Sequence, residues 1–147
     1  MKLEKTFGKL SSAQISELEN QLNISLPDDY KSFLAETNGG GIDLDTDFLI
    51  HIDDINESAS VDVFFGFTPQ TDYTDLLYWN KTYGGDMVED SIIIGSSLES
   101  GFIVLICNEE DAGVYYWDHT YHFKQSDDEY NTYFIADTFT DFVKQCP

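Results

Sequence analysis

Two runs of residues limit the architecture more than any other feature of this chain: Ile92-Ile93-Ile94 and Phe102-Ile103-Val104-Leu105-Ile106-Cys107. Neither alternates apolar with polar, so a strand made from either one buries both of its faces. Such strands are central ones, and a sheet built around them needs cover on each side. The rest of the chain has to supply that cover and the flanking strands.

The N-terminal third reads as helices. Ser11 and Ser12 offer an N-cap, and Ser11 with Gln14 has capping-box spacing. Ile15, Leu18 and Leu22 recur at helical spacing before Asn23 stops the run. Leu26-Pro27-Asp28-Asp29 marks a second start, with Pro27 placed at the first helical position and the acids complementing the positive helix end. Tyr30, Phe33 and Leu34 form its apolar stripe, and Asn38-Gly39-Gly40-Gly41 ends it. From Ile42 the period changes to two. Ile42, Leu44, Phe48, Ile50 and Ile52 alternate with Asp43, Asp45, Asp47, His51 and Asp53, which predicts a half-buried strand with an acidic outer face. Because Asp is a poor strand former, the Asp43–Asp47 part is read as a loop entering that strand. Val61–Phe67 is the next strand, and Thr71-Asp72-Tyr73 opens a third helix that runs to Tyr83 and stops at Gly84-Gly85. A hairpin loop at Glu109–Gly113 leads into the strand Val114–Trp117. His119-Thr120 then turns the chain toward Tyr121–Lys124, and an acidic loop at Asp127-Asp128-Glu129 precedes a last helix carrying Phe139, Phe142 and Val143. The order predicts one α+β domain, a mostly antiparallel sheet flanked by helices, which suits a chain of 147 residues.

Charge narrows the function. Seven Lys+Arg against 28 Asp+Glu give a formal net charge of −21. Direct nucleic-acid binding needs a basic footprint, and an anionic membrane surface repels such a chain, so both are excluded as partners. A basic protein surface is attracted and steered. Cys107 and Cys146 show no CxxC spacing, the N-terminus has no apolar leader, and no apolar run approaches the ~20 residues that span a bilayer. The expected compartment is the cytoplasm.

No catalytic motif emerges. Paired carboxylates would suffice for glycoside hydrolysis, but nothing in the sequence singles out a pair. Asp43-x-Asp45-x-Asp47 resembles the start of a calcium loop, yet Phe48 stands where the sharp turn needs Gly. His119-x-x-His122 has no third ligand nearby. His51, Cys107 and Asp118 form no convincing nucleophile–base set, and Gly39-Gly40-Gly41 follows a helix whereas phosphate loops precede one. The expectation is a protein that is not an enzyme and uses no cofactor or metal. Acidic clusters in loops and edges remain, with Tyr and Trp among them, a combination suited to holding a basic protein. The candidate partner-binding residues are Asp43, Asp45, Asp47, Glu109, Glu110, Asp111, Tyr78 and Trp79.

Glu19 followed by Leu22, then Leu26-Pro27-x-x-Tyr30-x-x-Phe33-Leu34 and Asn38-Gly39-Gly40, resembles the N-terminal motif of the SUKH superfamily, the Smi/Knr-like group. Ile92-Ile93-Ile94-Gly95 resembles that family's central strand, Val114-Tyr115-Tyr116-Trp117-Asp118 a later strand, and Ala136-Asp137-Thr138-Phe139 the start of its closing helix. The resemblance covers nearly the whole chain and implies an α+β domain with no shared catalytic residues. It further implies an immunity protein that neutralises a polymorphic toxin, many of which are nucleases with basic clefts. The alternative it implies is a regulatory scaffold module with an endogenous protein partner.

Overall fold

A computed structural model of the protein describes residues 1–43 and 45–146; Leu44, assigned above to an apolar strand face, lies outside the described residues. Among the described residues the chain order is β1 (Leu3–Thr6), α1 (Ser12–Leu22), α2 (Asp28–Thr37), β2 (Gly40–Ile42), β3 (Leu49–Ile52), β4 (Glu57–Phe64), α3 (Leu76–Tyr83), β5 (Ser91–Ser97), β6 (Phe102–Ile106), β7 (Gly113–Trp117), β8 (Thr132–Ala136) and α4 (Phe139–Val143). The strands form an antiparallel sheet in the order β1-β2-β4-β5-β6-β7-β8, with β3 paired to β4 alone. The two apolar runs are the adjacent strands β5 and β6 in its middle, and every residue of β6 is buried. The α+β architecture is the one the sequence predicts. No helix of the described residues is long and apolar enough to cross a membrane.

Local chemistry explains most element ends. Ser11 caps α1 in a complete capping box with Gln14, and Asn23 closes it in the left-handed region at φ 55°. Pro27 sits one place earlier than predicted: its extended ψ of 148° makes it the N-cap residue, and Asp28 begins the helix. The third helix also starts later, at Leu76, because the Asp75 carboxylate accepts the Tyr78 N–H and caps it there. Asp72–Thr74 forms a separate 3₁₀ turn. The loop expected at Asp43–Asp47 lies between two strands, β2 and β3, and Asp47 in it turns at φ 51°. β2 pairs with the end of β4 (Gly40 opposite Phe64) and β3 with its start (Leu49 opposite Ser60). β1 and β8 carry no sequence prediction. β1 is a short charged edge, and β8 follows the acidic loop where a direct passage into the last helix was expected.

The sheet has two differently covered faces. Phe64 meets Phe33 of α2 at 5.3 Å between ring centroids, and Phe139 and Phe142 of α4 at 6.0 and 6.2 Å. The next residue, Phe65, projects the other way and stacks on Trp79 of α3 at 5.6 Å. So α2 and α4 cover one face and α3 the other. Asn80 fixes α3 to the sheet, donating to the Ile93 carbonyl (3.0 Å) and accepting from the Ile93 N–H (2.8 Å).

Two buried polar groups hold the connections. Asn38 ends α2 at φ 53°; its side chain donates to the carbonyls of Phe7 (3.4 Å) and Phe67 (3.1 Å) and accepts from the Phe67 N–H (2.7 Å). Gly66 lies so close beneath that a Cβ there would run into the Asn38 carbonyl oxygen. Asp118, fully buried after β7, accepts from the N–H groups of His122 (2.9 Å) and Phe123 (2.9 Å) and from the Ser126 hydroxyl (2.6 Å). Three donors on one carboxylate hold the whole His119–Asn131 loop against the sheet.

Two outcomes follow. Asn38→Ala strands the Phe7 and Phe67 groups and should cost about 2–3 kcal/mol, read as a lower urea midpoint with an unchanged slope. Asp118→Ala should release the loop, so that trypsin cuts the folded protein after the exposed Lys124 while the native protein resists.

Candidate functional site

Register decides which side chains share the face under α3. Directly opposed residues of an antiparallel pair point the same way. Phe102 faces Trp117, Val104 faces Tyr115, and Ile106 faces Ser91, so these six lie on one side of β5–β7. α3 covers only one end of that side, where Trp79 and Tyr83 pack on Phe102 at 5.4 and 5.2 Å. Toward Ile106 the face opens into a groove of about 810 Å³. Val104, Ile106, Tyr115 and Trp117 line its floor, the Tyr83–Val88 turn forms one wall and the loop held by Asp118 forms another.

Four exposed carboxylates edge the groove: Asp86 after α3, Asp111 from the β6–β7 turn, and Asp128 and Glu129 from the loop. No Lys or Arg lines it. The ion pairs formed among the described residues are Lys2–Asp43, Lys31–Asp28 and His51–Asp53, none of which involves these four acids. The Tyr121 hydroxyl donates to Asp128 at 2.6 Å, and this bond raises the phenol above its ordinary pKa. Tyr115 donates to the Asp111 carbonyl at 2.8 Å; burial, with Asp111 and Asp137 nearby, raises its pKa too. His119 stacks on Phe102 with ring centroids 4.4 Å apart, and burial lowers its pKa, which favours the uncharged ring at neutral pH. The groove is therefore apolar at its base, negative at its edge and without a positive charge of its own.

The eight residues singled out from the sequence fall in three separate places. Asp111 lines the groove, and Glu109 and Glu110 stand exposed in the same turn. Asp43, Asp45 and Asp47 lie between β2 and β3, toward the other end of the strand order. There Asp43 is already engaged, bonded to the Asp45 N–H (3.0 Å) and paired with Lys2 (3.1 Å), and its pKa is lowered by those contacts in that order. Tyr78 is exposed on α3, whereas Trp79 is a packing residue: it stacks between Phe65 and Tyr83, and its indole N–H donates to the Tyr73 carbonyl at 2.9 Å. The candidate list omitted Asp86, Tyr115, Trp117, Asp128 and Glu129. Their signal in the sequence is Tyr115-x-Trp117 at strand period on one face, followed by an acidic loop.

Among the described residues no group of three or more His, Cys, Asp or Glu is placed to hold a metal ion. His119 belongs to the aromatic cluster over Phe102, and His122 follows the buried Asp118. Cys107 lies just past β6, where burial, with Asp90 nearby, pushes its thiol up to about 12. A thiol so protonated is a poor nucleophile. Cys146 is buried. A disulfide-exchange reagent at pH 8 should consequently label neither thiol in the folded protein and both after unfolding.

The family model described as SMI1 / KNR4 family (SUKH-1) matches residues 9–145. No match is found among curated proteins. The matched span runs from just before α1 through α4 and includes every strand except β1. The chain belongs to the SMI1 / KNR4 (SUKH-1) family.

Proposed function

We propose that this protein is a non-enzymatic immunity protein that binds a bacterial toxin domain in the cytoplasm of the cell that makes it and neutralises it through an acidic surface. Family membership supports the immunity reading, since members of the family are generally non-catalytic immunity or binding proteins. The observation that carries it further is the groove whose four carboxylates form no ion pair among the described residues. A nuclease toxin presents a basic cleft built for phosphates, and an acidic surface fills such a cleft as a substitute for nucleic acid. A net charge of −21 adds long-range attraction that speeds the encounter at low salt.

The test is a tagged pull-down at low and high salt, with the retained partner identified and then expressed alone and together with this protein. A basic toxin domain that is retained at low salt, lost at high salt and harmless only on co-expression is the expected result. A housekeeping partner, salt-insensitive binding, or a deletion phenotype in the absence of any toxin would replace this reading with that of a regulatory scaffold.

A further inference from the structure

We infer that the groove over β5–β7 is the docking site for an extended lysine- or arginine-bearing segment of the protein partner, and that the acidic Asp43–Asp47 loop is not. This rests on the reading that the protein acts by binding a basic partner, and it adds where that partner sits and which of its side chains the site takes.

The carboxylates converge from separate parts of the chain. Asp86, Asp111 and the pair Asp128–Glu129 come from three different connections, all brought to the edge of one floor. Between Lys81 and Lys124 the sequence has no Lys or Arg, although this stretch builds β5, β6 and β7. Like charges gathered around a partly apolar concavity repel one another, and a cation placed among them relieves that repulsion. Lysine and arginine match both layers of the site: their methylene stems cover apolar surface while their heads reach a polar edge. Trp117 and Tyr115 add ring faces on which a guanidinium or ammonium is attracted. A volume of about 810 Å³ takes a short stretch of chain and not merely one side chain. In the Asp43–Asp47 loop Asp43 is already paired with Lys2, and none of its described residues lines this groove.

The probe is an acetylated hexapeptide alternating arginine with alanine, titrated into the full chain by calorimetry and by amide chemical shifts. Three triple variants are compared, each removing three charges so that general attraction falls equally: Asp111→Asn/Asp128→Asn/Glu129→Gln in the groove, Asp43→Asn/Asp45→Asn/Asp47→Asn in the loop, and Glu4→Gln/Glu17→Gln/Glu36→Gln elsewhere. All these side chains except Asp43 are exposed, so the groove and remote variants are expected to fold normally, which their thermal midpoints check. Saturable shifts at Val104, Ile106, Tyr115 and Trp117 are expected, with binding weakened about tenfold by the groove variant, the combined effect of three ordinary surface ion pairs. The other two variants should stay within about twofold of the native protein. Equal weakening by all three variants, shifts centred on β2–β3, or spermidine binding as tightly as the peptide would overturn the inference. The same variants then separate it from the function proposed above. A toxin lost by the loop variant and kept by the groove variant sinks the docking site and leaves the immunity role standing. Groove-specific peptide binding by a protein that neutralises no toxin upholds the docking site and sinks the immunity role.

Discussion

The organisation of this molecule depends on a sheet whose central pair, β5 and β6, is apolar on both faces while the helices are shared unequally between them. One face receives α2 and α4 and closes around a cluster of Phe33, Phe48, Phe64, Phe139 and Phe142. The other receives α3, a helix of eight residues. Eight residues at 1.5 Å each make a rod of about 12 Å, too short to span a sheet whose strands stand about 4.8 Å apart from β4 to β8. Aromatic side chains take up part of the deficit: Trp79, Tyr83, Phe102, Trp117 and His119 pack into one continuous group. Where they stop, the groove begins.

The walls of the groove are loops, yet polar contacts define them. Asn80 ties α3 to Ile93 and so places the turn that carries Asp86. Asp118 gathers three donors and sets the course of the loop that carries Asp128 and Glu129, while the Ser126 hydroxyl it binds also meets the Tyr133 hydroxyl at 2.7 Å and joins that loop to β8. A buried carboxylate is costly unless its lone pairs are used. Here the partners that satisfy it are the same groups that shape the edge of the site. Structural and groove-shaping roles thus meet in Asp118, which is itself fully buried.

The elements legible in the sequence were those governed by local rules. Ser11 with Gln14, Asn23, Asn38 and the runs at β5 and β6 each act through a cap, a left-handed turn or two-sided burial, and each lies where the pattern places it. Pro27 and Thr71 were harder: Pro27 stands before its helix in extended backbone with no side-chain cap, and the third helix is capped by the Asp75 carboxylate, whereas Thr71 makes no side-chain cap. β1 and β8 exist through pairing to distant segments, Leu3 opposite Ile42 and Tyr115 opposite Phe134, and a one-dimensional pattern carries no such information. The groove was the least legible feature. Glu109, Glu110 and Asp111 form a conspicuous run, but only the structure brings Asp111 to the same edge as Asp86, Asp128 and Glu129, residues 17 to 25 positions from it in the chain.

The residues that identify the family and those that form the groove scarcely overlap. Leu26, Tyr30, Leu34 and Asn38 are buried, and with Gly39 they cap, turn and pack the first helices against the sheet; none of them lines the groove. Ala136 and Phe139 close the opposite face, and of the matching strand segment only Tyr115 and Trp117 reach the floor. The packing and capping that the fold needs therefore fall on one set of positions, and the edge of the groove on another. Exposed carboxylates at Asp86, Asp111, Asp128 and Glu129 can be exchanged without touching the core, because surface substitutions away from caps and buried networks usually change stability by no more than about 0.5 kcal/mol. Such a division explains why belonging to the family defines this architecture closely without fixing the exposed residues of the groove.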